Sequence, residues 1–206
     1  MDFFMPACSR RDFLRSACAL AALSAVRVGH AESGKPDGGG GKPDGGGIKL
    51  ELAEISQKGE LFQLSGNFNI QLSATLENAL VRGVQLTFIQ AFEAERLRDF
   101  WLAEDLIDLE RSVRLSYNAL LRQYYVSLSG VSSTHETLAS ALRAAGDLRD
   151  WSVLHVKQMK RKSDFKAYVR MYLDIAQLPK PLQVNALASS ARWQLDSGWQ
   201  ERSFKF

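Results

Sequence analysis

Apolar residues recur with a period of two along most of the chain after residue 48. Phe62, Leu64, Phe68, Ile70 and Leu72 alternate with polar residues around Gly66, and Val84, Leu86 and Phe88 do so after Gly83. Val113, Leu115 and Tyr117 form a further set, followed by Tyr124, Val126 and Leu128. The longest run is Phe165, Ala167, Val169, Met171, Leu173 and Ile175, with Lys166, Tyr168, Arg170, Tyr172 and Asp174 in the opposite phase. Such alternation predicts strands with one face in a core and the other in water, the pattern of antiparallel sheets. Trp151, Val153 and His155 share a phase, and Trp193, Leu195 and Trp199 read as a last, short strand.

Two segments switch to helical spacing. Ala74 to Arg82 carries Leu76, Ala79 and Leu80 with Gly83 as a stop, and Thr134 to Ala145 carries Leu138, Ala141 and Leu142. Thr134 is a candidate N-cap for the second helix and Gly146 its C-terminal stop. The expected fold is therefore mainly β, of the α+β class. It is an antiparallel sheet or β-sandwich of about eight strands with two short helices on a face or end.

The first 47 residues belong to neither pattern. Ser9-Arg10-Arg11-Asp12-Phe13-Leu14-Arg15 has the order of a twin-arginine export signal. An apolar run from Ser16 to Val26 follows, then the small-x-small site Gly29-His30-Ala31. The run is too short for a spanning helix, which needs about 20 apolar residues. Residues 1–31 are thus expected to be a cleaved signal peptide recognised through Arg10, Arg11, Phe13 and Leu14, with cleavage after Ala31. The chain would cross by the twin-arginine translocase, already folded, and work in the periplasm. Two perfect copies of Gly-Lys-Pro-Asp-Gly-Gly-Gly fill residues 34–47, so residues 32–47 read as a disordered tether and residues 48–206 as one β-rich domain.

Cleavage changes the chemistry available. Both cysteines, Cys8 and Cys18, leave with the signal, which excludes thiolate zinc sites, iron–sulfur clusters and cysteine nucleophiles. Four of the 26 Lys and Arg (Arg10, Arg11, Arg15, Arg27) and two of the 23 Asp and Glu (Asp2, Asp12) also leave, so the mature chain is close to neutral. Nucleic acid is not an expected partner.

Candidate chemistry is sparse. His135 and His155 show no zincin spacing, and there is no nucleophile elbow, Walker loop or Rossmann glycine pattern. His135 falls at the start of the expected second helix, and His155 reads as a packed or edge residue. Glu104, Asp105, Asp108 and Glu110 read as a solvated turn between strands, with a calcium loop or a hydrolase pair such as Asp105 and Asp108 as the functional alternatives. Lys157, Lys160, Arg161 and Lys162 are expected at a hairpin tip, where they could meet anionic headgroups. Tyr168, Arg170 and Tyr172 combine residue types enriched at protein interfaces and form a candidate partner surface. Leu178-Pro179-Lys180-Pro181 reads as a rigid corner.

Several longer segments share a resemblance. They are Leu76-Glu-Asn-Ala-Leu-Val-Arg-Gly-Val-Gln-Leu-Thr-Phe88, Arg114-Leu-Ser-Tyr-Asn-Ala-Leu-Leu-Arg-Gln-Tyr124, Leu173-Asp174, Leu178-Pro-Lys-Pro-Leu-Gln-Val184 and Trp193-Gln-Leu-Asp-Ser-Gly-Trp199. Together they resemble an uncharacterised proteobacterial family of exported proteins catalogued as a domain of unknown function, DUF4390. The resemblance implies a role at the cell envelope, because genes of that family tend to lie beside a nitrogen-regulation-type sensor kinase and its response regulator. It brings no catalytic residues, and the twin-arginine signal and glycine tether depart from its usual pattern. The expected function is a non-enzymatic periplasmic binding or accessory domain, without cofactor or metal, acting with an envelope protein such as a two-component sensor kinase. The alternatives are a carrier of a lipid or other apolar ligand and, further off, a hydrolase.

Overall fold

Strands β1 (Gly47–Lys58) and β2 (Leu61–Gln71) form a long antiparallel hairpin, and β7 (Trp151–His155) pairs with the other edge of β2. A computed structural model describes residues 45–97, 104–159, 164–188 and 190–205, all within one compact unit, Gly40–Phe206. The second sheet has six antiparallel strands in the order β6-β5-β4-β3-β8-β9. Its members are β3 (Leu86–Arg96), β4 (Glu104–Asn118), β5 (Gln123–Leu128), β6 (Val131–His135), β8 (Asp164–Leu173) and β9 (Gln200–Lys205).

The two sheets enclose one core. Phe62, Leu64, Phe68 and Ile70 come from β2, Phe88 and Phe92 from β3, Val113 and Leu115 from β4, and Phe165, Val169 and Met171 from β8. Phe68, Phe88, Phe92 and Phe165 are each less than 2 % exposed, and burying each contributes roughly 2 kcal/mol. The expected sets on β2, β5 and β8 are the strands observed. Sheet pairing selects a two-layer arrangement.

Strand β1 and the first half of β4 hide from the alternation because a bulge changes their phase. In β1 the register slips between Leu50 and Leu52, so Ile48 and Leu50 turn inward, then Ala53 and Ile55, while Leu52 is left 53 % exposed. Gly66 of β2 lies opposite the slip, where a Cβ would stand 2.2 Å from the Leu52 carbonyl oxygen. The acidic run Glu104–Glu110, expected as a turn, is instead the first half of β4. Its carboxylates alternate with Ile107 and Leu109, and a second slip opposite Ala94 and Glu95 absorbs Leu106.

Helix α1 (Ala74–Val81) follows the expected segment. Ser73 caps it by accepting from the Leu76 N–H at 3.2 Å, and Gly83 ends it at φ 88°. Helix α2 (Leu138–Gly146) starts later than expected. Its N-cap is Thr137, whose Oγ1 accepts from the Ser140 N–H at 3.2 Å, because Thr134 and His135 belong to the polar edge strand β6. Gly146 is a close-approach residue in the helix, not a left-handed stop, since a Cβ there would stand 2.0 Å from the Phe68 carbonyl oxygen.

A buried polar group holds the end of α2. Gln90, facing inward from β3, donates to the Ala145 carbonyl at 3.0 Å and accepts from Arg111 Nε at 2.7 Å. The Arg111 guanidinium lies 4.4 Å from the Trp151 ring centroid and also reaches the Asp147 carbonyl at 3.3 Å. Burial pulls Arg111 down to about 10, opposed by Asp147, so it remains a cation at neutral pH beside carbonyls at a helix C-terminus.

The corner expected at Leu178–Pro181 opens a helix, α3 (Lys180–Ala188), with Pro181 in its first turn, where a missing N–H costs nothing. A short α4 (Ser190–Trp193) follows. Trp193 therefore ends a helix, and the last strand, β9, begins just after Trp199. Among the described residues, no helix is long and apolar enough to cross a membrane.

Candidate functional site

The two phases of β8 separate cleanly at the large sheet. Phe165, Ala167, Val169, Met171 and Leu173 enter the core, so Lys166, Tyr168, Arg170 and Tyr172 line the opposite face. Strand β3 sets Ile89 beside Tyr172, Ala91 beside Arg170, Glu93 beside Tyr168 and Glu95 beside Lys166. Beyond β3, strand β4 adds Ser112, Glu110, Asp108 and Asp105 in the same order. Tyr168, Arg170 and Tyr172 are half-buried, while Asp105, Asp108 and Glu110 are exposed, so this face is open to solvent.

Hydrogen bonds tie the face together across strands. Tyr168 Oη donates to Glu95 Oε1 at 2.5 Å, and Tyr172 Oη donates to Glu110 Oε1 at 3.3 Å. Arg170 Nε donates to Asp196 Oδ1 at 2.9 Å while its Nη2 donates to Oδ2, a bidentate fork. The same guanidinium lies 4.9 Å from the Tyr172 ring centroid and 5.6 Å from that of Trp199, within cation–π range of both.

The Asp196–Trp199 turn is positioned by β8 itself. Ser197 Oγ accepts from the Met171 N–H at 2.9 Å, and the Ser197 N–H donates to the Met171 carbonyl at 2.9 Å. Asp196 Oδ1 also accepts from the Gly198 N–H at 2.8 Å, with Gly198 at φ 64°. Burial pushes the Asp196 carboxyl up, but the Arg170 fork and the Gly198 N–H outweigh it and hold the group below its ordinary value of 3.8. The bond that Arg170 donates to Asp196 raises Arg170 further, and burial with the Glu110 carboxylate raises Tyr172 above its ordinary 10.0. All three keep their usual charges at neutral pH.

The charge pattern is uneven. Register places Glu93 directly opposite Asp108 and Glu95 opposite Asp105, and like charges so placed are destabilising. Lys166 pairs with Glu201 at 2.8 Å and Arg170 with Asp196, and among the described residues the carboxylates on this face outnumber the cations. Its chemistry suits binding of a cationic, partly apolar segment.

The remaining candidates scatter. His135 lies at the end of β6 with Nε2 2.9 Å from Ser133 Oγ, on a strand and not at a helix start. His155 Nδ1 accepts from the Lys157 N–H at 3.2 Å, and Nε2 lies 3.3 Å from Glu60, so the ring caps a short 3-10 turn. Glu104 pairs with Arg96, while Asp105 and Asp108 sit in the open on the sheet face. Among the described residues, no group of three His, Cys, Asp or Glu could hold a metal ion. Lys157 is exposed in the turn after β7. Lys160, Arg161 and Lys162, the signal residues Arg10, Arg11, Phe13 and Leu14, and Ala31 lie outside the described residues. The alternation assigns Trp199 to a last strand and does not point to Asp196 or to a place for either residue on this face. Their signal is the Asp-Ser-Gly turn before an aromatic.

No curated protein and no solved structure matches this chain. A family profile, "Domain of unknown function (DUF4390)", matches residues 46–203, which takes in every strand and helix described above except the last residues of β9. The chain therefore belongs to the DUF4390 family.

Proposed function

We propose that this protein is an exported, non-enzymatic accessory domain of the periplasm that binds an envelope protein, such as a two-component sensor kinase. Tyr168, Arg170 and Tyr172, joined by Trp199, form the centre of the binding surface. The observation that carries this reading is the Arg170 guanidinium, fixed by the Asp196 fork on an open sheet face with Tyr172 and Trp199 beside it. A side chain already ordered in the free protein loses little entropy on binding. Tyr, Trp and Arg are the residues that dominate binding energy at interfaces. The partner segment suited to this face carries Lys or Arg toward Asp108 and Glu110. The twin-arginine signal agrees, because a domain of this size with one continuous core can travel folded.

A carrier would need space between the sheets. That space is occupied by Phe68, Phe88, Phe92 and Phe165, so an apolar cargo would have to displace them. The test of the binding reading is a cross-linking pull-down from envelope extracts with the wild type and with Tyr168→Ala/Arg170→Ala/Tyr172→Ala. One envelope protein should be recovered with the wild type and fall by more than about 30-fold with the variant, the equivalent of a single hot spot. Recovery of the same protein in equal yield would overturn the assignment.

A further inference from the structure

The turn between β4 and β5 holds two adjacent leucines in water. Leu120 is 91 % exposed and Leu121 55 %, and Val81 at the end of α1 is 51 % exposed. Val81, Arg82, Tyr117, Leu120 and Tyr125 border one shallow depression, and among the described residues no carboxylate lines it. The turn backbone is ordered. Asn118 Oδ1 accepts from the Leu120 N–H at 3.0 Å and the Leu121 N–H at 3.1 Å, and Arg122 closes the turn at φ 54°. A hairpin needs only small or polar turn residues here, so the leucines require another explanation.

We infer that this tip docks on an anionic lipid surface, with Leu120 and Leu121 entering the headgroup region and Arg82 and Arg122 meeting the phosphates. The shape favours a bilayer over a protein partner. The leucines protrude from a turn, and leucine is under-represented among the residues that dominate protein interfaces. The arginines supply the charge complementarity. Tyr117 and Tyr125 border the same depression as Leu120, and tyrosines are enriched at membrane interfaces. Leu86 pairs with Leu115 at this end of the sheet, and Phe165 pairs with Arg96 at the other. Docked end-on, the protein keeps the outer face of its large sheet free. The inference stands independently of any protein bound there.

The test uses residues 32–206, the chain left after the expected cleavage, which contains no cysteine because the only two are Cys8 and Cys18. Leu121→Cys carries an environment-sensitive dye and is mixed with phosphatidylcholine vesicles, with or without about a third phosphatidylglycerol. The dye should shift to the blue only with the anionic vesicles, while the same dye on Lys157→Cys stays unshifted. In co-sedimentation, Arg82→Gln/Arg122→Gln should weaken partitioning about 25-fold, from roughly fivefold per basic residue. Leu120→Ser/Leu121→Ser should weaken it about 100-fold, from roughly tenfold per leucine. The far-UV circular dichroism of both variants should match the wild type. Equal binding to neutral vesicles, a shift at Lys157 alone, or a shift that follows protein concentration without vesicles would overturn the inference. The last result would make the tip a contact between copies of this chain.

Discussion

Replacing Gly146 by Ala sets two physical effects against each other. Alanine is the better helix former, by up to about 1 kcal/mol in a helix interior and less at the last residue. Against that, the new Cβ would stand 2.0 Å from the Phe68 carbonyl oxygen and 3.0 Å from its carbon, with backbone on both sides. The end of α2 must therefore lift by about 1 Å, a strain of the kind that costs roughly 1–3 kcal/mol in packed cores. Lifting also stretches the 3.0 Å bond from Gln90 to the Ala145 carbonyl, a buried bond whose loss costs about 1 kcal/mol. Sterics win, and Gly146→Ala should destabilise the domain by about 2–3 kcal/mol. Urea unfolding followed by circular dichroism should show a lower midpoint at unchanged slope, and the melting temperature should fall by roughly 5–10 °C. Gly83→Ala is the control: nothing lies within 4 Å of its Cβ, so only the left-handed backbone penalty of about 1 kcal/mol applies. A Gly146→Ala domain within about 0.5 kcal/mol of wild type, or more stable, would refute the close contact between α2 and β2.

Further expectations concern the core and the open face. Phe88→Ala, at a site with no exposure, should cost about 3–5 kcal/mol in the same urea assay. Gln90→Leu should cost about 2 kcal/mol despite its similar size, because it leaves the Ala145 carbonyl and Arg111 Nε without this partner. Asp196→Asn should lower stability only slightly at pH 7, by well under 1 kcal/mol, because the pair is partly exposed and screened. The folded carboxyl titrates below 3.8, so its contribution is complete above that pH and fades as pH falls through the lowered value. The difference between wild type and variant should accordingly shrink below about pH 4 in acid titrations of stability.

The strands legible in the sequence are those whose inward positions are uniformly apolar and whose phase never slips. Strand β8 is the clearest, with Phe165 to Leu173 inward and the tyrosines outward along its whole length. Strand β3 is central and buried on both phases at Ala91 and Thr87, with Gln90 among its inward positions, so only its first turns alternate visibly. Strands β1 and β4 each contain a bulge, and one slip moves every later side chain to the other face. In β4 the outward carboxylates also imitate a turn. Strand β6 is an edge of serines and threonine with nothing to bury, and it drew in Thr134 as a helix cap. Tyr168, Arg170 and Tyr172 were readable as one face of one strand. Glu95, Glu110, Asp196 and Trp199 join them through pairings of 26 to 73 residues in sequence separation, which no local pattern encodes.

The central claim is that the open face of the large sheet meets an envelope protein. A photo-cross-linking residue placed at Tyr172 in the exporting cell, with Gln57 on the exposed β1–β2 hairpin as the reference position, tests it most directly. The account predicts a single cross-linked envelope protein at Tyr172, the same one at Tyr168, and none at Gln57. An adduct at Gln57 alone, or no adduct at Tyr168 and Tyr172 in exported protein, would contradict it.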